Sequence, residues 1–511
     1  MSRARRRARL TTPLIAMSLV TGGLTIWTFG QGQAEAATPT TSKAESKAAA
    51  AKATDDFNGD GYADLVVGAP GATVSGKKKA GYVAVTYGSK NGLDPANKKI
   101  ISRSTSGVPG AATTKQEFGR WFTKGDLDKD GYTDLVIGSG GVVEPGGSVI
   151  LWGSKDGLSG GTKIPTFGFA PQAGDFDGDG TTDLALFAKV GSYGDDPTDQ
   201  QARLWKGPIS RTGKPTATLD FMEKSQWWSY DSDERPNLHC SPLPDRGDSC
   251  IDGPRSVEGP VVPEAVGDIN GDGRADIAMN DYYGDGEWGN SVLYGSPAGF
   301  KRGDAPGSSG ALAVGDVNGD HYDDFVVGGS DYESKVMVAY GSKNGLKTGD
   351  GEIQKFNQDL PGVPGVEEDG DAFGASVAVG DVDRDGFADI AVGAPGESVG
   401  NVARAGAVTL VRGSASGVTG TGSQAFQQDT PGIPGVGEKD DRFGAAAALL
   451  DVTGDGRRDL AVSSVNENAD AGALWSLRAT STGLTTKKAV AFGPKDLGAP
   501  YVAAMFGSTL R

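Results

Sequence analysis

The sequence predicts an all-β fold made of seven repeats, and three observations carry this prediction. Glycine accounts for 81 of 511 residues without a Gly-X-Y period, so the chain is rich in turns and is not collagen-like. Each repeat contains an apolar run typical of a β-strand, such as LVVGAP or IAVGAP. Each run directly follows one copy of an acidic nonapeptide, and the seven copies begin at Asp56, Asp126, Asp175, Asp268, Asp316, Asp381 and Asp451.

Charge and composition exclude several classes of function. The chain has 49 basic and 66 acidic residues, a net charge of -17, which repels phosphate backbones and anionic lipids. We therefore expect neither a nucleic-acid partner nor peripheral membrane binding. With only two Cys and two His, the chain cannot be a cysteine-rich scaffold, a zinc-finger array or a multi-histidine metal protein.

The N-terminus has the pattern of an export signal. Five arginines between Arg3 and Arg9 precede a charge-free stretch that ends at Ala34-Glu35-Ala36. This pattern predicts a signal peptide over residues 1–36, cleaved after Ala36, and hence a secreted, extracellular protein. An uncleaved membrane anchor is the alternative, because the uncharged stretch is long enough to span a bilayer. A twin-arginine signal fits less well. Residues 37–54 are predicted to be a flexible spacer before a repeat domain over 55–511.

The nonapeptide has the composition of a cage for a hard cation. Oxygen-bearing side chains at positions 1, 3, 5 and 9, a glycine at position 6 and the backbone carbonyl of position 7 suit Ca²⁺. An EF-hand is excluded because position 12, Val67 in the first copy, is apolar and lies in a strand pattern. An acidic turn without metal would crowd like charges. The predicted metal residues are Asp56, Asn58, Asp60, Tyr62, Asp64, Asp126, Asp128, Asp130, Tyr132, Asp134, Asp175, Asp177, Asp179, Thr181, Asp183, Asp268, Asn270, Asp272, Arg274, Asp276, Asp316, Asn318, Asp320, Tyr322, Asp324, Asp381, Asp383, Asp385, Phe387, Asp389, Asp451, Thr453, Asp455, Arg457 and Asp459.

Up to seven Ca²⁺ sites are thus predicted, and two of them are expected to be the weakest. The fifth copy has His321 in place of glycine; histidine is enriched in the left-handed backbone among non-Gly residues, so the loop is expected to form at some strain. The seventh copy has Thr453 in place of an acid at position 3.

Further motifs resemble the FG-GAP repeats of the integrin alpha-subunit N-terminal domain and its secreted bacterial relatives. Phe-Gly pairs at Phe118, Phe373 and Phe443 each stand eight residues before a cage. Gly-Ala-Pro stands after the first cage, at Gly68, and after the sixth, at Gly393. The resemblance implies a seven-bladed β-propeller of four-stranded antiparallel blades over residues 55–511. It also implies that the cages lie on one face and that partners bind the opposite loop face.

The two ends of the repeat domain are predicted to share one blade. The first cage begins directly after the spacer and has no preceding Phe-Gly strand, whereas residues 505–511 resemble that missing strand. We therefore expect the C-terminal strand to pair into the first blade and close the ring, which removes an exposed sheet edge.

The 93-residue interval between the third and fourth cages predicts an insertion over about 207–262, in or after blade three. Cys240 and Cys250 within it are expected to form a disulfide in an exported protein. A metal site with His239 is the alternative, but a fourth ligand is missing. For Trp227 and Trp228 in the same insertion, packing is favoured over ligand binding.

The resemblance also implies that aromatic residues from blades three to five lie on the ligand face. They suit recognition of a protein or a glycan, the alternative being that they pack beneath the insertion. These candidate ligand-binding residues are Tyr193, Tyr282, Tyr283, Trp288 and Tyr332.

The leading prediction is a calcium-binding adhesion module, a monomeric propeller without catalytic residues. A secreted carbohydrate-active or other hydrolytic enzyme is the first alternative, and it requires a carboxyl pair with perturbed pKa on the loop face outside the cages. A structural wall or matrix component is the second. The stretch from Gly396 to Gly400 matches the nucleophile-elbow pattern GxSxG, but both His residues lie upstream and a strand-to-helix turn is not expected there.

Overall fold

Antiparallel β-sheets make up nearly all of the regular structure in the computed structural model, which describes residues 55–140, 147–164, 167–190, 194–226, 253–329 and 335–511. Residues 52–511 belong to one compact unit. Within the described ranges the strands form seven sheets that follow one another along the chain, which confirms the seven-bladed β-propeller. A single helical turn at Glu467–Asp470 and two short 3₁₀ turns, Lys224–Gln226 and Gly253–Arg255, are the described helical elements.

Five blades are complete four-stranded meanders, with strands in sequential order and antiparallel pairing. The second blade contains β4 (Phe118–Gly125), β5 (Asp134–Ser139), β6 (Val149–Trp152) and β7 (Ser159–Lys163). The fourth contains β13 (Val261–Gly267), β14 (Asp276–Gly284), β15 (Glu287–Tyr294) and β16 (Lys301–Ser308). The fifth contains β17 (Leu312–Gly315), β18 (Asp324–Val327), β19 (Val336–Ala339) and β20 (Ile353–Phe356). The sixth contains β21 (Ser376–Gly380), β22 (Asp389–Ala394), β23 (Ala407–Arg412) and β24 (Thr419–Phe426), and the seventh β25 (Phe443–Leu450), β26 (Asp459–Ser464), β27 (Ala473–Thr480) and β28 (Gly483–Phe492).

The first blade is completed from the other end of the chain. Its own strands are β1 (Leu65–Ala69), β2 (Tyr82–Thr86) and β3 (Lys98–Ile101). The C-terminal segment, residues 507–511, runs antiparallel to β1, and Leu510 lies opposite Val67. The backbone N–H groups of Val66 and Gly68 donate to the carbonyl oxygens of Arg511 and Thr509 at 2.8 and 2.9 Å. The segment therefore takes the place of the missing inner strand.

The third blade contains both ends of the extra chain in the 93-residue interval between the third and fourth cages. Its strands are β8 (Phe169–Gly174), β9 (Asp183–Phe187), β10 (Thr198–Lys206) and β11 (Ala217–Leu219). A fifth strand, β12 (Ser256–Gly259), pairs with the beginning of β10. Residues 207–219 thus form the ordinary turn and outer strand of the blade, and the extra chain falls between β11 and β12. Cys240, Cys250, His239, Trp227 and Trp228 lie outside the described residues.

Apolar side chains fill the spaces between neighbouring blades. The described residues form seven buried clusters, and each of them draws its members from two adjacent sheets. One of these clusters joins Leu65 and Val67 of the first blade to Leu450 and Ala461 of the seventh, with Leu510 between them. The last blade therefore packs on the first as every other pair does, which is the packing of a closed ring.

Glycine is required where the blades approach most closely. A methyl carbon added to Gly393 of the Gly-Ala-Pro element would lie 2.0 Å from the carbonyl oxygen of Gly444, in the Phe-Gly pair of the next blade. Gly444 itself has a φ of +92°, in the left-handed region that other residues rarely adopt. The same contact recurs between Gly68 and Gly119. The two halves of the repeat signature thus meet across the blade interface.

Candidate functional site

In blades two to seven the acidic nonapeptide forms the loop between the first and second strands, and in the first blade it directly precedes β1, which is the second strand of that blade. In an antiparallel four-stranded sheet, this connection lies at the same end as the connection between strands three and four. All seven loops, called cages below, therefore lie on one face of the propeller, which we call the cage face. The connections between strands two and three, and from strand four to the next blade, lie on the opposite loop face.

The aspartate at position 1 organises each loop. In the first cage, Asp56 accepts hydrogen bonds from the N–H groups of Gly59 at 2.6 Å and Gly61 at 2.8 Å. The bond from position 6 to the carboxylate of position 1 is present in all seven cages, at 2.8 to 3.1 Å. The repeated sequence thus produces one repeated loop geometry.

The aspartate at position 9 is buried and tied to the backbone at both oxygens. Asp276 accepts hydrogen bonds from the N–H groups of Ile269 at 3.0 Å and Gly295 at 2.9 Å, the latter at the end of the third strand. Burial raises the pKa of Asp276 to about 7. The same cause raises the pKa of Asp64, Asp134, Asp324 and Asp389 to about 7 and of Asp183 and Asp459 to about 6. A nearby cation would favour the ionised form of each group.

The oxygen atoms of three loops converge in a way that fits a hard cation. In the second, third and sixth cages, carboxylate oxygens from three aspartates lie within 4.8 Å of one another. The second cage contributes Asp126, Asp128 and Asp134, the third Asp175, Asp177 and Asp183, and the sixth Asp381, Asp383 and Asp385. The first, fourth and fifth cages have an asparagine at position 3, which also offers a side-chain oxygen. An all-oxygen set of this kind is what Ca²⁺ prefers.

The two cages expected to be weakest keep the common loop geometry. His321 has a φ of +70°, and its N–H donates to Asp316 at 2.9 Å, as the glycine does elsewhere. Thr453 turns its hydroxyl inward and donates to Asp459 at 3.0 Å. The structure thus shows that the substitutions do not prevent the loops from forming; the ranking of their affinities stays a prediction.

Neighbouring cages are linked through their backbones. The N–H at position 8 of one loop donates to the carbonyl oxygen at position 1 of the loop in the preceding blade, as Thr133 does to Asp56 at 3.0 Å. Six such bonds are present among the described residues, including one from Ala63 in the first blade to Asp451 in the seventh. These bonds therefore link the cages in one series that runs from the third blade through the seventh to the first and second.

Exposed apolar side chains are concentrated on the opposite loop face. Among the described residues, the large hydrophobic side chains that are exposed all lie on connections of that face; they are Tyr283, Val366, Val436, Tyr501, Val502 and Met505. Val366 and Val436 occupy equivalent places in two similar loops, PGVPGV and PGIPGV. These loops were missed as candidate sites, although their repetition is visible in the sequence.

The predicted aromatic ligand residues fall into different environments. Tyr283, at the tip of the β14–β15 hairpin, is 55% exposed. Tyr282 is buried; its hydroxyl donates to the carbonyl oxygen of Gly194 at 2.9 Å, and its ring contacts Trp288. Tyr282 and Trp288 thus stabilise the hairpin that presents Tyr283. Tyr193 and Tyr332 lie outside the described residues.

The stretch that matches GxSxG is a turn after β22. Glu397 donates its N–H to the carbonyl oxygen of Ala394 at 3.1 Å, and the chain returns through an isolated bridge between Val399 and Val402. The strand is not followed by a helix, so Ser398 lacks the setting of a nucleophile elbow.

Comparisons with known proteins agree with this architecture. The FG-GAP repeat family matches residues 51–86, 309–345, 373–411 and 443–477, and the FG-GAP-like repeat family matches 126–186. Integrin alpha pat-2 of Caenorhabditis elegans is 30% identical over 257 residues, 45% of this chain and 20% of the relative. Phosphatidylinositol-glycan-specific phospholipase D of Rattus norvegicus is 31% identical over 196 residues, 36% of this chain and 22% of the relative. The matched part thus spans about a fifth of each relative.

A solved structure, AofleA from Arthrobotrys oligospora, aligns over 77% of this chain and 97% of its own, at 11% identity and a TM-score of 0.35. Across the described residues, no helix has the length and apolar character needed to span a membrane. The repeats, their strands and the matched relatives lead to one conclusion. The chain is an FG-GAP-repeat β-propeller that resembles the N-terminal domain of integrin alpha subunits.

Proposed function

We propose that the protein is an extracellular, calcium-stabilised propeller that binds a protein or a surface glycan through its loop face. The observation that carries this proposal is the separation of the two faces. The acidic cages occupy one face, and the exposed apolar side chains of the described residues lie on the other. An exposed apolar surface with a polar rim is typical of a binding site.

The calcium part of the proposal is supported by the geometry of the loops. The cage residues listed above would hold Ca²⁺ with side-chain oxygens and the position-7 carbonyl. The ion would supply positive charge that offsets crowded carboxylates and would fasten the loop between two strands. Its role is structural, since the cages lie away from the face proposed to bind the partner.

The sequence and the relatives support the proposed location and partner class. The N-terminal pattern of arginines and an apolar stretch predicts export, and integrin alpha subunits are among the matched relatives. Tyr283 and the valines at positions 366, 436 and 502 offer apolar contact area, while Asp285 and Glu287 beside Tyr283 offer hydrogen-bond acceptors. This mixture suits a protein or glycan surface.

The calcium part is tested by thermal melts of the purified protein with saturating Ca²⁺ and with excess EDTA, together with elemental analysis. We expect a clear rise in Tm with calcium and several bound ions, because the ion binds the folded loops. An identical Tm in both conditions and no bound metal would remove calcium from the proposal and leave the fold unchanged.

The binding part is tested by retention on the surface of the producing cells. The variant Tyr283→Ser/Val366→Ser/Val436→Ser/Val502→Ser should lose retention at unchanged Tm. A control with three exposed substitutions on the cage face, Asn91→Ser/Asp156→Ser/Lys343→Ser, should retain it. Pretreating the cells with protease or with periodate separates a protein partner from a glycan. Equal retention of both variants would contradict the proposal.

A hydrolytic enzyme is the second candidate, favoured by one carboxyl pair outside the cages. Asp441 and Glu467 hydrogen-bond to each other, and burial raises the pKa of Glu467 to about 7. Gln428 donates to Glu467 at 2.8 Å. However, Gln358 donates to Glu397 in the same way in the preceding blade, also at 2.8 Å. Repetition in two blades favours a role in anchoring loops.

The enzymatic candidate has a direct assay, chosen because of the matched phospholipase D. Purified protein would be incubated with membranes that carry a phosphatidylinositol-glycan-anchored protein, and release of that protein would be measured. Release that Glu467→Gln abolishes and Glu397→Gln preserves, with both variants folded, would establish the enzyme. On the binding proposal, no release occurs with any of the three proteins.

A further inference from the structure

One residue position beside each cage is occupied by different types of side chain in different blades. It immediately precedes the residue whose N–H binds the position-9 aspartate at the end of the third strand. In four blades this position is aromatic, and in three it is basic. The residues in chain order are Tyr87, Trp152, Lys206, Tyr294, Tyr340, Arg412 and Arg478.

In the third cage the basic side chain lies between two of the predicted metal residues. The ammonium group of Lys206 forms ion pairs with Asp177 and, at 2.7 Å, with Asp179. These are positions 3 and 5 of the loop. The side chain of Asp177 is almost fully buried, and that of Lys206 is 24% exposed. A charged group of this chain therefore already offsets half of the negative charge of the pair.

The sixth cage has the same arrangement with a larger cation. The guanidinium of Arg412 forms ion pairs with Asp383 at position 3 and, at 2.7 Å, with Asp389 at position 9. It lies 3.8 Å from Asp385 at position 5. Its side chain is 10% exposed, and that of Asp389 is fully buried. One guanidinium thus contacts three of the four acids of the cage.

The second cage receives its cation from a neighbouring blade. Arg211, in the turn before β11, contacts Asp128 and Asp130 at 2.6 Å each. Its side chain is about half exposed, so this contact is screened and open to solvent. The second, third and sixth cages share one property of sequence: position 3 is an aspartate.

Within the part of the chain that the structure describes, the cages with asparagine at position 3 lack such a bridge. In the first and fifth cages, the amide groups of Asn58 and Asn318 donate to the position-5 aspartates at 2.9 and 3.1 Å. In the fourth cage Arg274 pairs with position 5 alone. Among the described residues, a basic side chain joins positions 3 and 5 only where position 3 carries a charge.

We propose that Lys206 and Arg412 are tethered cations that take the place of the metal in the third and sixth cages. This inference rests on the proposed calcium function. It separates the seven proposed sites into those with a tethered cation and those without one. Ca²⁺ enters the cages without such a tethered cation at lower concentrations. The third and sixth cages, in place of the fifth and seventh that the sequence alone marks as weakest, are the last to be filled. The exposed Arg211 leaves the second cage accessible.

The physical reason is competition for the same oxygen atoms. A buried ion pair broken at one partner leaves an uncompensated charge, so a metal that enters must also move the lysine or arginine into water. The intramolecular cation is always present at a high effective concentration. Sites of extracellular modules bind Ca²⁺ at about 0.1–1 mM, which leaves little free energy for this displacement.

The test counts bound ions in the full protein by equilibrium dialysis at about 1 mM free Ca²⁺. Lys206→Met and Arg412→Met keep an unbranched apolar chain and remove the charge. Lys155→Met and Arg404→Met are matched controls, because these residues pair with Asp156 and Asp440 outside the cages. Melts in EDTA and in Ca²⁺ accompany each count. If Arg412→Met does not fold, Lys206→Met carries the test alone.

We expect the wild type to bind at most about five ions, and each cage variant to gain about one. Lys206→Met should melt below the wild type in EDTA and recover that loss in Ca²⁺, whereas the controls should match the wild type in both. Seven ions in the wild type, or no gain in the cage variants, would overturn this inference and leave the calcium proposal standing. No ions in the wild type but one in a cage variant would support the inference alone. No ions in any protein would refute both.

Discussion

The backbone N–H of Val66 donates a hydrogen bond to the carbonyl oxygen of Arg511 at 2.8 Å, which joins the last residue to a strand near the beginning of the domain. Leu510 and Phe506 are buried in the cluster that the first and seventh blades share. Deleting residues 505–511 should therefore expose a sheet edge and an apolar core together. We expect a sharp fall in Tm, measured by circular dichroism in saturating Ca²⁺.

A milder variant serves as a reference for this truncation. Leu510→Ala removes buried apolar volume and keeps the backbone pairing, and it should cost about 2–5 kcal/mol of unfolding free energy. The truncation should cost more. A truncated protein that melts with the wild type would contradict closure of the ring by this segment.

Removing one charged ligand should weaken one calcium site. Asp60 at position 5 of the first cage accepts hydrogen bonds from Asn58 at 2.9 Å and Tyr62 at 3.1 Å. In Asp60→Asn the amide is a poorer ligand, so the rise in Tm with Ca²⁺ should shrink and one ion should be lost. In EDTA the Tm should be equal or slightly higher, because a like charge is gone. Asp94→Asn, in the same blade outside the cage, should behave as wild type in both solutions.

His321 stores backbone strain that glycine would relieve. Its φ of +70° is unfavourable for a residue with a Cβ, whereas the six other cages have glycine there. His321→Gly should stabilise the metal-free protein by about 0.5–1 kcal/mol in urea unfolding. His321→Ala keeps the Cβ and should bring no gain. If the alanine variant gains as much as the glycine variant, the effect comes from the imidazole and not from the backbone.

Glu264 on β13 should make stability depend on pH. Burial raises its pKa from 4.5 to about 7, although Asn280 donates to it at 3.0 Å and Arg511 lies near. Below pH 4.5 the group is protonated in both the folded and unfolded states and has no effect. Between pH 4.5 and 7 the unfolded state ionises first, so the group increasingly destabilises the fold. Above pH 7 the penalty is complete, about 3 kcal/mol.

Glu264→Gln removes this penalty without a change in shape. The variant should match the wild type near pH 4 and exceed it at pH 8, as measured by urea unfolding across that range. Glu287→Gln, on the exposed hairpin, should follow the wild type throughout. A constant difference between Glu264→Gln and wild type at all pH values would show that packing, not ionisation, separates them.

The seven blades could be predicted because each contains the same short sequence elements. A cage, a following apolar run and a Gly-containing turn recur with similar spacing, so one unit explains the others. Closure could be predicted for the same reason, since residues 505–511 match the strand that the first repeat lacks. Even the third repeat keeps the signature, as Phe167-Gly168 stands eight residues before Asp175 and packs against Gly138 of the preceding blade.

The roles of individual cage residues could not be predicted from the pattern. The sequence marks the position-9 aspartates as ligands, but not as acceptors for the backbone of a strand about 20 residues away, because that contact depends on the folded blade. Nor does it show that Tyr282 is buried while Tyr283 is exposed, since alternation along a bent hairpin depends on its register. Lys206 and Arg412 lie outside the nonapeptide, and only the fold brings them to it.

The hydrogen bonds from position 8 of one cage to position 1 of the preceding cage have a mechanical consequence. In six of the seven neighbouring pairs, one loop holds the carbonyl of the preceding one in place, and the bond from Ala63 to Asp451 continues the series from the seventh blade to the first. A series of linked loops distributes tension along its length, so that a force on one blade is carried by several loops. If the loop face binds a partner, a force applied there would be shared among the linked loops and would not act on a single sheet alone.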